Sequence, residues 1–283
     1  MTTGLMLEGG AMRGLFTAGV LDFFLEHDLS FDKVVGVSAG AAFGGNLKSR
    51  QKGRVLRYNT RFCRDARYCS LRNLIRTGDL YGADFCYRLL PDELDPFDYE
   101  TYRSDPTDFY CVCTDADTGE ALYKQINRLT KEEFLYLQAS ASMPIVSRAV
   151  EANSKRLLDG GIADSLPLDF LTSLGCNKRV VILTRPKGYR KKPLKGAFFI
   201  KCALRKLPAV SNRLLSRHEH YNRALCEIEA MEHAGELFVI RPSTALHARV
   251  IERNENRLRS FWQSGYDAAK AAFEDLKRYL EAE

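Results

Sequence analysis

The 283-residue sequence lacks any long hydrophobic run. Its longest apolar stretches, residues 180–183 and 197–200, fall far short of the roughly 20 residues that span a bilayer. The N-terminus, MTTGLMLEGG, has no basic segment before its short apolar run, as a secretory signal peptide would require. We therefore expect a cytoplasmic protein with neither a membrane-spanning helix nor a signal peptide.

Closely spaced cysteine pairs are absent too. The eight cysteines are scattered and none forms a CxxC motif, which argues against structural zinc and thioredoxin-like redox chemistry. Cys111 and Cys113 fall on one side of a predicted strand, where buried structural cysteines are common. We interpret the cysteines as reduced, and we predict neither a metal site nor a cofactor.

Acidic residues are missing from a long part of the chain. Residues 170–218 contain none, and residues 48–76 carry ten basic residues against the single acid Asp65. Basic residues interleaved with apolar ones suit an anionic lipid surface, although nucleic acid would feel the same field. An alternative of equal weight to a lipid-binding surface is that these basic residues lie on two helical faces exposed to solvent. Our hypothesis is peripheral contact of residues 54–76 or 187–206 with an anionic membrane, at its inner face, and we expect no nucleic acid partner.

The sequence does contain a recurring alternation of short apolar segments and helical patterns. The apolar segments end in glycine, serine or proline, at residues 4–10, 31–38, 178–186 and 236–242. Strand and helix in alternation predict an α/β fold with parallel strands. No repeat or clear linker interrupts the chain, so we predict one domain over residues 1–283, with core motifs in about 3–184 and C-terminal helices and a last core strand in 185–283.

A lone serine lies between glycines after the second apolar segment, as Gly36-Val37-Ser38-Ala39-Gly40. A nucleophilic hydroxyl must stand clear of the backbone, and a sharp strand-to-helix turn achieves this only where the flanking residues are small. The following helix would also direct its positive end at the serine. A plain small-residue turn is the alternative for this pentapeptide alone.

Residues 8–14, EGGAMRG, offer consecutive glycine amides at the end of a strand. Ala11 breaks the dinucleotide-binding pattern GxGxxG. Backbone N–H groups at such a place bind an anion, either a phosphate or the oxyanion of a tetrahedral intermediate. The alternative is a glycine turn that only permits close packing of the helix on the strand. Close packing alone, however, does not explain the arginine at position 13.

Asp159 follows two leucines and precedes two glycines, in LLDGG. A shielded carboxylate could accept the proton of Ser38 directly, since burial raises its pKa toward neutrality. Taken alone, an Asx-type turn in which Asp159 accepts hydrogen bonds from nearby amides is the better explanation.

Together, G-G-x-x-R-G, G-x-S-x-G and D-G-G in this order resemble the patatin-like phospholipase family of the bacterial type. Residues 113–119, 139–150 and 159–167 look like further blocks of the family, and the resemblance runs from about Thr3 to Thr184. It implies a three-layer α/β/α fold with a mainly parallel central sheet, and a Ser-Asp dyad that hydrolyses lipid acyl esters.

Carried onto this chain, the resemblance makes Ser38 the nucleophile and Asp159 the general base. The other residues that it implies form the oxyanion hole, the nucleophile elbow and the D-G-G motif: Gly9, Gly10, Arg13, Gly14, Gly36, Gly40, Gly160 and Gly161. Glu8 departs from the pattern, because many members have a small or polar residue there. The five histidines lack the setting of a catalytic base, and a Ser-His-Asp triad with a late histidine is the lesser alternative.

The predicted function is that of a phospholipase A or lipid esterase acting on phospholipid or another acyl-ester lipid. One alternative is a catalytically weak scaffold that retains the fold and holds lipid or nucleic acid. Another is a hydrolase of small esters or thioesters. Reaction of Ser38 with a fluorophosphonate separates the first alternative from a hydrolase.

Overall fold

The computed structural model of the chain describes residues 1–249 and 251–282. Its strands are β1 (Thr3–Leu7), β2 (Lys33–Val37), β3 (Asp108–Asp115), β4 (Ala121–Gln125), β5 (Val150–Ala152), β6 (Lys155–Asp159), β7 (Lys178–Ile182) and β8 (Phe238–Ile240). Its α-helices are α1 (Gly14–Glu26), α2 (Ala39–Lys48), α3 (Arg54–Phe62), α4 (Leu71–Thr77), α5 (Tyr99–Ser104), α6 (Lys131–Ser140), α7 (Leu168–Ser173), α8 (Ala197–Ala203), α9 (Pro208–His233) and α10 (Glu255–Glu281), and a π-helical segment spans Phe85–Leu94. Among the described residues, no helix is both long and apolar enough to cross a bilayer.

One central sheet organises the molecule. Its strand order is β5-β6-β3-β2-β1-β7-β8, and β4 pairs with β3 outside this path. The pairs β3-β2, β2-β1, β1-β7 and β7-β8 are parallel, whereas the pairs that involve β4, β5 and β6 are antiparallel. The prediction of an α/β fold with a mainly parallel sheet is confirmed.

The central strands are buried on both faces, which is typical of a parallel sheet covered by helices. Side chains alternate between two hydrophobic clusters along β1: Leu5 and Leu7 belong to one, and Met6 belongs to the other. The first cluster includes residues of α1, α2, α3 and α10, and the second includes residues of α7 and α9. Two helical layers therefore enclose the sheet, as the predicted three-layer α/β/α fold requires.

Strands β2 and β6, which are far apart in sequence, meet end to end along one edge of β3. Residues 110–112 of β3 pair with both β2 and β4, and residues 113–114 pair with both β4 and β6. A strand has two edges, so β2 and β6 must share the edge opposite β4. Because Val37 pairs with Val112 and Asp159 pairs with Cys113, β2 and β6 end against each other.

The basic segment of residues 48–76 is only partly a solvent-facing surface. The Arg54 guanidinium is buried and donates to the Asp95 carbonyl at 2.6 Å, and Arg57 forms two 2.8 Å hydrogen bonds with the Asp95 carboxylate. These two arginines stabilise the fold locally, so the membrane hypothesis for residues 54–76 must be restricted to their C-terminal part. Leu71 and Ile75, on α4, are exposed there.

Candidate active site

Ser38 lies at a sharp turn between β2 and α2. Its backbone has φ of 54° and ψ of −121°, a left-handed conformation that costs a serine on the order of 1–3 kcal/mol. A Cβ on Gly40 would lie 2.3 Å from the Leu7 carbonyl oxygen, and one on Gly36 would lie 2.6 Å from the Ala41 Cα. Only glycine fits at these two positions, and the serine hydroxyl projects from the turn as the G-x-S-x-G pattern predicts.

The two side chains predicted to react together are in contact. The Ser38 hydroxyl donates to Asp159 Oδ2 at 2.7 Å, although 121 residues separate them in sequence. The other carboxylate oxygen, Oδ1, accepts the Gly161 N–H at 2.8 Å. Asp159 therefore makes the Asx-type turn and also holds the serine, so the two interpretations of this aspartate are compatible.

Two buried hydroxyls fix the positions of these groups. Ser140 accepts the Ser38 N–H at 2.9 Å and donates to the Val112 carbonyl at 2.6 Å. Thr114 donates to the Asp159 carbonyl at 2.7 Å. The end of α6 and strand β3 thus support the backbone on either side of the contact. Ser140 therefore supports the backbone of the nucleophile rather than competing with it.

Asp159 is only 3% exposed. Burial raises the pKa of its carboxyl group above the ordinary value, and the positive charge of Arg217 is the largest opposing influence. The hydrogen bonds from Ser38 and Gly161 and the charge of Lys191 also oppose the rise. A carboxylate with a raised pKa is a stronger base than an exposed aspartate and can accept a hydroxyl proton more readily.

The glycine loop lies directly beside the serine. A Cβ on Gly9 would lie 2.8 Å from the Ser38 Cβ, and one on Gly10 would lie 3.4 Å from Arg13 Nε. Within residues 1–249 and 251–282, the N–H groups of Gly9 and Gly10 donate no hydrogen bond to protein, and Arg13 Nε is buried without a partner. Gly14 packs against α2, where a Cβ would lie 2.9 Å from that of Ala39. The loop therefore presents free donors to whatever approaches Ser38.

A cavity of about 840 Å³ opens over Ser38 and Asp159. One part of its lining is apolar and belongs mainly to the first hydrophobic cluster, which includes residues of α2 and α3. It contains Phe43, Tyr58, Leu80, Leu90, Leu129 and Leu137. Another part is basic and comes from the glycine loop, the segment after β7, and α9, with Arg13, Arg185, Lys191 and Arg217. Such a mixed lining suits a ligand with one apolar and one anionic part. In the described part of the chain, no histidine lines this cavity.

Apart from Arg13, the residues of the basic part of the lining were not identified from the sequence as part of a site. Glu8, which departs from the family pattern, is buried and accepts the Tyr221 hydroxyl at 2.8 Å and the Thr184 N–H at 2.6 Å. Tyr221 and Arg217 lie one helical turn apart on α9, and this i, i+4 spacing was the available signal. Nothing local, however, indicated that this helix would face the end of β1.

Two family models match different parts of the chain. The family model for patatin-like phospholipases matches residues 5–172, and a domain of unknown function, DUF6363, matches residues 207–281. The uncharacterized protein YjjU of Escherichia coli is 30% identical over 64% of this chain and 52% of its own length. A putative patatin-like phospholipase domain-containing protein of Caenorhabditis elegans is 25% identical over 63% of this chain and 16% of its own.

Lysophospholipase nte1 of Emericella nidulans is 27% identical over 62% of this chain and 11% of its own length. The chain thus aligns with about half of the Escherichia coli protein and with a smaller share of the other two.

The fold and site define an α/β protein with a serine on a strand-to-helix elbow, paired with an aspartate across the end of the sheet. The family match extends over more than half of the sequence. The chain belongs to the patatin-like phospholipase family.

Proposed function

We propose that this protein is a serine acyl hydrolase that cleaves fatty acyl esters with Ser38 as nucleophile and Asp159 as general base. The observation that carries the proposal is the 2.7 Å hydrogen bond from the Ser38 hydroxyl to the Asp159 carboxylate, within a cavity that suits a lipid. Membership of a family of phospholipases, and the name of the fungal relative, agree with an acyl-ester lipid as substrate.

The reaction follows from this arrangement. Ser38 Oγ attacks the ester carbonyl carbon while Asp159 Oδ2 takes its proton, and the N–H groups of Gly9 and Gly10 donate to the oxyanion that forms. Collapse of the tetrahedral intermediate breaks the ester C–O bond, and the proton passes from Asp159 to the leaving alkoxide. Water then attacks the acyl-enzyme, Asp159 takes a proton from it, and the fatty acid leaves as Ser38 regains its hydrogen.

A fluorophosphonate probe tests this proposal. We expect the probe to form one covalent adduct, located on the peptide that contains Ser38 by mass spectrometry. Ser147 provides the matched control, because its hydroxyl also lines the cavity but has no carboxylate partner in the part of the chain that the structure describes. Ser147→Ala should be labelled like the unmodified protein, and Ser38→Ala should not be labelled. A folded protein that fails to react would favour the scaffold alternative.

The proposal includes binding to an anionic membrane. Two exposed apolar patches adjoin segments that line the cavity: α4 with Ile75, 85% exposed, and α8 with Phe198 and Phe199, 72% and 76% exposed. Basic residues without a salt bridge in the described part of the chain accompany them: Arg72, Arg76, Lys195 and Lys201. Apolar side chains flanked by basic ones suit the interface of an anionic bilayer.

Charge reversal tests the membrane contact. Each basic residue near an anionic surface contributes about 1 kcal/mol, so Arg72→Glu with Arg76→Glu should weaken binding to equimolar phosphatidylcholine and phosphatidylglycerol vesicles by about 30-fold or more. Sedimentation with vesicles at increasing salt measures the effect. Lys270→Glu, an exposed position on α10, is the control. Unchanged binding and salt dependence in the double variant would reject this contact.

A further inference from the structure

Six basic side chains from the glycine loop, the segment after β7 and α9 line the cavity. Arg190 is paired with Glu229, Lys192 follows two residues later in sequence, and the other four form one group. Arg13 follows the glycine loop, Arg185 and Lys191 lie after β7, and Arg217 lies on α9. They are close enough that Arg217, Arg185 and Arg13 all help to lower the pKa of Lys191 to about 7, although burial is the largest cause. Burial and the charge of Arg185 likewise lower the pKa of Arg13.

Carboxylates balance only part of the positive charge of this group, which we call the basic cluster. The charge of Glu8 raises the pKa of Lys191 and of Arg13, against the larger effect of burial. Within residues 1–249 and 251–282, none of its four members forms a salt bridge. The nearby carboxylates are those of Glu8 and Asp159. Glu8 accepts hydrogen bonds from Tyr221 and Thr184, and Asp159 accepts from Ser38 and Gly161.

Positive charges held together in a partly desolvated cavity repel one another, and an anion relieves that repulsion. Arg13 Nε adds a buried N–H donor without a partner among the described residues. Guanidinium groups present donors in a fork that fits a phosphate. The chemistry of the basic cluster thus fits a phosphate group.

The same region does not offer a site for a quaternary ammonium group. Such a group binds to open aromatic faces, but the Tyr221 ring is covered by Lys191 Nζ at 4.1 Å and the Tyr189 ring by the Arg185 guanidinium at 4.4 Å. Tyr221 is itself held by Glu8. A choline headgroup would bring a cation among these cations.

We propose that Arg185, Lys191 and Arg217 form a subsite for the phosphate of an acyl-ester lipid whose headgroup carries net negative charge, and that this subsite selects such lipids over zwitterionic and neutral ones. The proposal rests on the proposed function and specifies its substrate class. Ser38 lines the same cavity as both linings, so the acyl chain would lie against the apolar residues and the phosphate against Arg185, Lys191 and Arg217.

Binding without turnover tests the subsite separately from catalysis. In the Ser38→Ala protein, calorimetry would compare three single-chain ether lipids below their micelle concentrations: alkyl glycerophosphate, alkyl glycerophosphocholine and alkylglycerol. A hydrogen bond to a charged group contributes enough for about a 10- to 100-fold preference, and we expect the glycerophosphate to bind tighter than the other two by this factor.

Substitutions then locate the preference. Lys191→Gln and Arg185→Gln, each in the Ser38→Ala protein, should reduce the preference to within about threefold, whereas Lys270→Gln should retain it. Thermal unfolding reports whether each variant is folded. Because two positions are tested, the result stands even if one variant does not fold.

The proposal would be overturned by equal affinity for the three lipids, or by an unchanged preference in both folded cluster variants. Inorganic phosphate that binds as tightly as the alkyl glycerophosphate would also overturn it, because the site would then serve the free ion. Failure of the proposed function has a different signature, since Ser38 would then not react with the fluorophosphonate while the charge preference persisted.

Discussion

Replacing Asp159 with asparagine is expected to lower the rate of ester hydrolysis on the order of 10³-fold. Asparagine has nearly the same shape, and its Oδ1 can still accept the Gly161 N–H that Asp159 accepts at 2.8 Å. Its amide nitrogen would face Ser38 Oγ, where it can donate a hydrogen but cannot accept one. The serine would thus lose its base while the surrounding backbone stays in place. Steady-state hydrolysis of a soluble ester measures the loss.

The same substitution should leave the protein at least as stable as before. Burial raises the pKa of the Asp159 carboxyl in the folded state, so ionisation of this group opposes folding. Any stability associated with the protonated carboxyl is present at low pH and is lost as the pH rises through the folded-state pKa. Asparagine removes that loss, and its melting temperature should therefore match or exceed that of the unmodified protein at neutral pH.

The raised pKa also sets the acid limit of activity. A base must be ionised to accept the serine proton, so the rate should fall as the pH drops through the raised pKa of Asp159, above the range of an exposed aspartate. Asp164 is a matched control, since burial raises the pKa of its carboxyl too but its partner is Tyr123. Asp164→Asn should keep most of the activity. A folded Asp159→Asn variant that hydrolyses esters at the original rate would refute the base assignment.

The strand ends near the site followed from local patterns, but the meeting of Ser38 and Asp159 did not. Glycine spacing and apolar runs identified the elbow and placed Asp159 at a strand end. The contact itself depends on β2 and β6 sharing one edge of β3, with Val37 and Asp159 paired to neighbouring residues. Pairing of that kind joins segments far apart in sequence, and only the resemblance to a family connected them beforehand.

The basic residues show where reasoning from composition reaches its limit. Arg54 and Lys191 occur in runs of similar charge, yet Arg54 is buried against Asp95 and Lys191 lines the cavity beside Ser38. The net charge of a segment does not distinguish buried from exposed basic residues, because burial depends on the partners that the fold supplies. Phe198 and Ile75, by contrast, lie exposed among basic residues, and whether they contact a membrane depends on a partner that the sequence does not contain.

Substitution of Gly265 by alanine is expected to destabilise the protein by about 3 kcal/mol, the upper part of the range for overpacking. A Cβ at Gly265 would lie 1.9 Å from the Phe16 carbonyl oxygen, and one at Gly19 would lie 2.0 Å from the Trp262 carbonyl oxygen. Helices α1 and α10 thus approach so closely that each needs a glycine at the contact. The Trp262 indole also donates to the buried Asp22 carboxylate at 2.6 Å, and neither helix can move aside without breaking that hydrogen bond.

This prediction also tests our proposal that residues 1–283 form one domain, although different family models match the two parts of the chain. Helix α1 follows the glycine loop beside Ser38, whereas α10 lies within the C-terminal match. If they belong to one folding unit, Gly265→Ala should lower the temperature of a single cooperative transition by about 5–10 °C, and fluorophosphonate labelling of Ser38 should disappear over the same interval.

Gly45→Ala is the control, because its added Cβ would only touch Tyr102 at 3.8 Å and alanine favours the helix. Two separate transitions, of which only one shifts in the Gly265 variant, would instead divide the chain into independent domains.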